Sequence, residues 1–194
     1  MRVIIAGGTG LIGRTLVHHL ALQEYEIIVL SRHPERAAQI FSRQGLPGIQ
    51  TVGWDARSAQ GWGELITGES AIVNLAGATP AHWRWTRAYR ARILESRLGA
   101  GQAIMQAMER YGPPEVLVQA SASGYYGDRG QELLTEISLP GQGFRAKVCQ
   151  KWEASTGQAS TRRCLIRTGL VLDTPAGAFP PLLQFARLLG SQIG

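Results

Sequence analysis

An α/β fold, a doubly wound parallel sheet with helices on both faces, is what the sequence predicts, and three observations carry that prediction. Strand-like and helix-like segments alternate along the chain. The strand-like segments are short, continuous apolar runs, as expected of strands buried on both sides. A glycine-rich run, Gly7-Gly8-Thr9-Gly10-Leu11-Ile12-Gly13, lies between the first strand and the first helix.

The first strand is Arg2 to Ala6, built on Val3, Ile4 and Ile5. The stretch Leu11 to Leu22 carries Ile12, Leu16 and Leu20 at helical spacing. Glu26 to Leu30 makes a second strand. Pro34 suits the first turn of the next helix, which runs to Ser42 and is closed by Gly45 to Gly48. A third strand is predicted over Ile49 to Val52 and a fourth over Ala71 to Leu75. A long helix follows from Thr86 to Arg110, with Tyr89, Ile93, Ile104 and Met108 near one face; Gly112, Pro113 and Pro114 stop it. Val116 to Ala120 is the fifth strand. The helix from Phe144 to Ala154 places Phe144, Val148 and Trp152 on one stripe, and Leu165 to Leu172 is the sixth strand. Beyond Asp173 a loop with proline and glycine leads into an apolar segment, Pro181 to Leu189. A doubly wound enzyme normally needs more chain than this to close its substrate site. The expected organisation is therefore one domain over residues 1–172 and the start of an incomplete substrate-binding region over 173–194, with the chain the amino-terminal part of something longer.

With 44% hydrophobic and 18% charged residues, the chain has an ordinary globular composition, which excludes a disordered protein. No apolar run approaches the roughly 20 residues of a membrane span, and Val3 to Ala6 is too short for a secretory core. The expectation is a soluble, cytoplasmic protein with no membrane partner. Two cysteines, Cys149 and Cys164, are too few for a disulfide framework, and Cys164 reads as a buried inert thiol in an apolar run. His18, His19, His33 and His82 are not spaced with acids or cysteines as metal ligands, so no metal is expected. The net charge of +6 raises nucleic acid as a partner. However, Arg84, Arg87, Arg90, Arg92 and Arg97 drift around a helix and no nucleic-acid module accompanies them. A solvated basic face with one or two phosphate-reading members is the reading, and no nucleic acid is expected.

Placement gives the glycine run its meaning. Glycines let the backbone turn tightly and approach a pyrophosphate, and the helix start presents free N–H groups and a partial positive charge. This is the arrangement of a dinucleotide-binding Rossmann domain. The second strand selects the dinucleotide. An NAD site usually offers an acid at its tip; here the strand ends Val29-Leu30-Ser31-Arg32. Ser31 can hydrogen-bond a 2′-phosphate and Arg32 can oppose its charge with a forked donor set. NADP is expected over NAD, although Glu35 nearby works against it.

With Asn74-Leu75-Ala76-Gly77 closing the fourth strand, these residues resemble the extended short-chain dehydrogenase/reductase superfamily. The likeness sharpens at Arg84-Trp85-Thr86, Glu95-Ser96-Arg97, Ser123-Gly124-Tyr125-Tyr126-Gly127-Asp128, Cys149 with Trp152-Glu153, and Arg167-Thr168-Gly169-Leu170-Val171-Leu172. Together they resemble the atypical, family 39U-like branch of nucleotide-sugar epimerases. The resemblance implies NADP beyond the strand ends, with Gly7, Thr9, Gly10, Leu11, Ile12 and Gly13 around the pyrophosphate and Ser31 with Arg32 at the 2′-phosphate. It further implies Leu75, Ala76 and Gly77 along the adenosine side, Arg97 approaching from the long helix and Val171 near the nicotinamide. Asp55 is a candidate for the adenine rim, the alternative being a surface loop acid.

Typical members of that superfamily use a Ser or Thr, a Tyr, and a Lys four residues after the Tyr, the cation lowering the phenol's pKa. Here the corresponding helix reads Phe144-Arg145-Ala146-Lys147-Val148-Cys149-Gln150-Lys151-Trp152-Glu153: Phe144 cannot carry a proton and Val148 stands four residues on, while aligning on Trp152-Glu153 instead puts Arg145 and Cys149 in the two places. The usual acid/base pair is absent. Candidate substitutes are Tyr125 or Tyr126 as proton donor, Ser121 or Ser123 polarising a carbonyl, and Lys147 or Cys149 facing the cofactor. Two functions follow as expectations. One is an NADP-dependent oxidoreductase or epimerase-like enzyme acting on a sugar nucleotide or other small carbonyl compound. The other is a non-catalytic NADP-binding sensor or interaction module. Superfamily analogy suggests a homodimer through the long helices.

Overall fold

The computed structural model describes residues 1–80, 84–173 and the pair 183–184. Six strands, β1 (Arg2–Ala6), β2 (Glu26–Ser31), β3 (Gln50–Gly53), β4 (Ala71–Asn74), β5 (Val116–Ala122) and β6 (Arg162–Thr168), form one sheet in the order β3-β2-β1-β4-β5-β6. Every neighbouring pair is parallel. The helices are α1 (Leu11–Ala21), α2 (Pro34–Arg43), α3 (Arg87–Tyr111) and α4 (Gly143–Ala154).

Successive residues of β1 feed opposite cores, which is why the strand is apolar throughout. Ile4 and Ala6 pack with Ile28, Ile72 and Leu117 against the Ala100, Ala103, Ile104, Ala107 and Met108 line of α3. Val3 and Ile5 pack with Val29 and Val73 against Val17 of α1 and Ala37 and Phe41 of α2. Each fully buried Ile or Leu contributes about 1.5–3 kcal/mol relative to exposure. The small residues of α3 bring the helices close: a Cβ on Gly101 would collide with the Ser155 side chain at the end of α4.

Elements one to five match the sequence expectation within two residues, whereas β6 does not. It was expected over Leu165–Leu172 and is found over Arg162–Thr168, with Arg162 opposite Val116 and Thr168 opposite Ala122. β6 stands at the end of the strand order, its Ile166 is 50% exposed, and charged residues occupy ladder positions. An apolar-run criterion therefore shifts the strand toward Leu170 and Leu172, both largely exposed. For the same reason Cys164 is half-buried, not buried as expected, and Cys149 is the buried thiol. On α1 the expected stripe is turned: Ile12 is exposed, and Gly13 with Val17 faces the sheet. The segment Pro181 to Leu189, the loop before it and His82 fall outside the described residues, apart from the pair 183–184.

Candidate functional site

The carboxyl ends of β1 and β4 adjoin where the strand order reverses, the position at which open α/β sheets take ligands. There the chain is stripped of side chains. Gly7 has φ +83°, and a Cβ on it would lie 2.7 Å from the Leu75 carbonyl carbon. A Cβ on Gly13 would lie 2.6 Å from the Gly8 Cα and against the Gly7 carbonyl. Gly10 caps α1 without any side-chain hydrogen bond, donating its own N–H to the Gly7 carbonyl at 3.0 Å. The first-turn amides of Leu11, Ile12 and Gly13 therefore have no side-chain acceptor, and the helix dipole points its positive end the same way. Thr9 is half-buried within this loop.

The opposite wall is held by two buried amides. The Asn74 side chain donates to Gln119 Oε1 at 2.9 Å and accepts from the Ala76 N–H at 3.1 Å, and Gln119 donates to the Ala120 carbonyl at 2.7 Å. This lock fixes Leu75-Ala76-Gly77, and the Leu75 N–H extends the ladder to the Ala6 carbonyl at 2.8 Å. Sequence reasoning missed Gln119; an amide inside an otherwise apolar buried strand was the available signal.

Ser31 ends β2, beside β1, and its hydroxyl accepts from the His33 N–H at 3.1 Å. Arg32 is exposed next to it and joins no ion pair among the described residues. Asp55, two residues past β3, is occupied by its own loop. Its Oδ1 accepts from the Arg57 N–H at 2.8 Å and the Ser58 N–H at 2.9 Å, and its Oδ2 from the Ser58 hydroxyl at 3.1 Å. The Arg57 amide bond, with those from Ser58, holds its carboxyl below the usual value despite some burial.

Arg97 is buried on α3, its guanidinium carbon 3.0 Å from where a Gly77 Cβ would sit. It stacks over Trp152 at 4.7 Å and donates to the Ala78 and Ile93 carbonyls at 3.0 Å each. Burial lowers its pKa, and among the described residues no carboxylate pairs with it and its buried Nε has no hydrogen-bond partner. An orphaned donor on a buried cation, set against a glycine of the cleft wall, is a place for a ligand oxygen.

At the end of β5 the site is made of side chains. Ser121 is buried and donates to Glu153 Oε1 at 2.6 Å. Arg167 of β6 donates to both Glu153 oxygens at 2.9 Å, to the Tyr126 hydroxyl at 2.9 Å, and lies 3.5 Å over the Tyr125 ring. Burial pushes the Glu153 carboxyl up, but the Arg167 and Ser121 hydrogen bonds together outweigh it and the net shift is downward. Ser123 and Tyr125 lie on a 3₁₀ turn over 123–125, Ser123 exposed and Tyr125 half-buried. Lys147 is exposed on α4, while Cys149 is buried, its pKa raised by burial and by Glu153. Val171 is half-buried just past β6.

The structure thus brings Gly7–Gly13, Leu75–Gly77 and Arg97 together at the carboxyl ends of β1 and β4, with Ser31 and Arg32 beside them at the end of β2. Ser121 turns its proton to Glu153. Among the described residues no group of three or more His, Cys, Asp or Glu side chains could hold a metal ion, and no helix is long and apolar enough to cross a membrane.

A six-stranded parallel sheet with a glycine-rich strand–loop–helix turn at its crossover defines a Rossmann-type dinucleotide-binding domain. The NAD dependent epimerase/dehydratase family matches residues 3–156, and the chain belongs to that family. It is 34% identical to the epimerase family protein SDR39U1 homolog, chloroplastic, of Arabidopsis thaliana over 100% of this chain and 56% of that protein. Among solved structures, the human epimerase family protein SDR39U1 (isoform 2) with NADPH superposes at TM-score 0.78 with 30% identity, covering 97% of this chain and 60% of the other. The nucleoside-diphosphate sugar epimerase of Corynebacterium glutamicum superposes at TM-score 0.74 with 32% identity, covering 98% and 38%. The chain spans a little over half the length of the curated relatives it matches.

Proposed function

We propose that residues 1–172 form the NADP-binding domain of an oxidoreductase or epimerase-like enzyme that acts on a small carbonyl or carbinol compound, a sugar nucleotide among the candidates. The observation that carries this reading is the tight Gly7–Gly13 turn, where a Cβ on Gly7 or Gly13 would strike main chain, leading into the uncapped amides of α1. Those amides hold the pyrophosphate, Ser31 and Arg32 the 2′-phosphate, and Leu75 to Gly77 the adenosine side; the Arg97 Nε meets a cofactor oxygen, and Val171 borders the nicotinamide end. The NADPH bound to the human relative supports the choice of dinucleotide. The cofactor supplies hydride transfer when bound; this chain's residues bind it, orient it and exchange the proton. Tyr125 and Ser123 are the candidates for that exchange, since Ser121 is engaged by Glu153. Assembly as a homodimer through the long helices goes with this reading by superfamily analogy.

Fluorescence titration with NADPH and NADH tests the cofactor assignment. Arg32→Ala should weaken NADPH by about 1–3 kcal/mol, the scale of a hydrogen bond to a charged group, and leave NADH unchanged. Equal losses for both would overturn the roles given to Ser31 and Arg32.

A second reading, an NADP-binding sensor without turnover, is favoured by one feature: α4 carries no Tyr with a Lys four residues on, and the two places fall to Phe144 and Val148 or to Arg145 and Cys149. Oxidation of NADPH against a panel of carbonyl compounds, abolished by Tyr125→Phe or Ser123→Ala, supports the enzyme. Tight NADPH binding with no oxidation supports the sensor.

A further inference from the structure

Beside the turn that closes β5, two arginines and two aromatic rings meet from separate segments. Trp85 ends the connection from β4 to α3 and donates its indole N–H to the Pro80 carbonyl at 3.2 Å. Phe144 opens α4. The rings lie 5.7 Å apart at 79°, an edge-to-face pair. Each arginine reaches across to the ring of the other segment: Arg90 of α3 lies 5.5 Å over Phe144, and Arg145 of α4 lies 5.2 Å over Trp85. The Arg145 stem passes 3.5 Å from where a Gly124 Cβ would sit, which places it beside the turn that closes β5 at the carboxyl edge of the sheet.

Among the described residues neither guanidinium has a carboxylate partner. The ion pairs among the described residues are Arg2–Glu26, Arg129–Glu132 and Arg167–Glu153. Between residues 70 and 108 Glu95 is the single acid, and from 137 to 152 there is none. A guanidinium stacked on a ring keeps its in-plane N–H donors, and those form a fork that fits a phosphate or carboxylate. Ring stacking restricts the arginine rotamers before a ligand arrives, which lowers the entropy lost on binding. Two like charges in one cluster are also relieved by an anion.

We propose that Arg90 and Arg145, carried on the Trp85–Phe144 pair, form a subsite for an oxyanion of the substrate, so that the substrate is an anionic compound and not a neutral carbonyl. The subsite takes its place at the mouth of the cleft from the cofactor reading above, on which it rests.

The test is calorimetry on the full chain, with and without saturating NADPH, using UDP as a phosphate probe, glucuronate as a carboxylate probe and glucose as a neutral one. UDP or glucuronate binds and glucose does not, and whichever anion binds identifies the source of the charge. Arg145→Ala and Arg90→Ala each weaken the anion about tenfold or more, and Arg145→Lys recovers part of the loss. Arg110→Ala changes nothing; Arg110 stacks on Tyr111 at 5.3 Å in the last turn of α3 and controls for stacking alone. The proposal is overturned if neither anion binds at about 10 mM, a ceiling on useful affinity, or if both alanine variants keep the wild-type affinity. NADPH affinity is read on the same samples. Its absence counts against the cofactor cleft alone, because the Arg145 and Arg90 effects are also read on the cofactor-free protein.

Discussion

The two halves of the sheet's carboxyl edge are built from different material. Between β1 and β4 the site is built mainly of main chain: the glycine loop packs on Leu75 and Ala76, and contacts below 3 Å leave no room for a Cβ at Gly7 or Gly13. From β5 to β6 the main chain recedes, and Ser121, Glu153, Arg167 and Tyr126 form one hydrogen-bonded chain of side groups. Where backbone packs directly on backbone, an added atom has nowhere to go. A side-chain-built site tolerates atoms but depends on the charge balance of its members.

Gly13→Ala is the strongest way to break that contrast. Its Cβ has backbone on every near side, including the Gly8 Cα at 2.6 Å, so nothing flexible can yield. Loss of NADPH affinity by about a hundredfold or more is expected, with a lower Tm, because α1 must move away from β1. Gly10→Ala is the companion: its Cβ would meet only the Gly7 carbonyl at 3.3 Å, and affinity should fall far less. Equal effects from the two would mean that the loop is not a tight cradle.

Glu153→Gln attacks the other half. It leaves the Arg167 guanidinium, 15% exposed, without its countercharge. A stability loss of about 3 kcal/mol by urea denaturation is expected, with NADPH affinity unchanged. The pH dependence has a definite sign. Because the folded Glu153 carboxyl titrates below its ordinary value of 4.5, its contribution is complete above that value and is lost as the pH falls through the depressed folded value. The wild-type protein should therefore lose stability more steeply than Glu153→Gln below about pH 4.5. Parallel curves would remove Glu153 from the account of acid sensitivity.

The same contrast explains what could be read in the sequence. The glycine cradle spans seven consecutive residues and announces itself, because excluding side chains is a local property of the chain. Strands β1, β2 and β4 were legible because burial on both faces makes continuous apolar runs of Val3–Ala6, Ile27–Leu30 and Ala71–Val73, with polar residues only at the strand ends. Edge strand β6 was misplaced because its arginines serve the network and the ladder, not the core. The pairs Ser121–Glu153, Glu153–Arg167 and Tyr126–Arg167 span 32, 14 and 41 residues, and no spacing rule connects them until the sheet brings β5, α4 and β6 together. Ser121 was consequently read as a candidate to polarise a carbonyl, with no sign that Glu153 would engage its hydroxyl. Arg97 was placed near the cofactor by resemblance, but its burial against Gly77 and Trp152 became visible only in three dimensions.

The smallest effect is expected at Asp55, and it sharpens the boundary of the backbone-built half. Its carboxylate already accepts two amides and a hydroxyl from its own loop, so it has a structural use that owes nothing to a ligand. Asp55→Asn keeps an oxygen for the Arg57 and Ser58 amides, and the Ser58 hydroxyl can turn to accept from the new NH₂ group. The loop survives, and NADPH affinity should change by less than about twofold, within the small effect expected of a surface substitution. If Asp55 instead accepts from the adenine amino group, the substitution replaces an acceptor by a donor and the loss should reach about tenfold, the scale of one hydrogen bond. That result would extend the dinucleotide's footprint past β2 to the end of β3, and would make the adenine end a site of side chains and not of backbone alone.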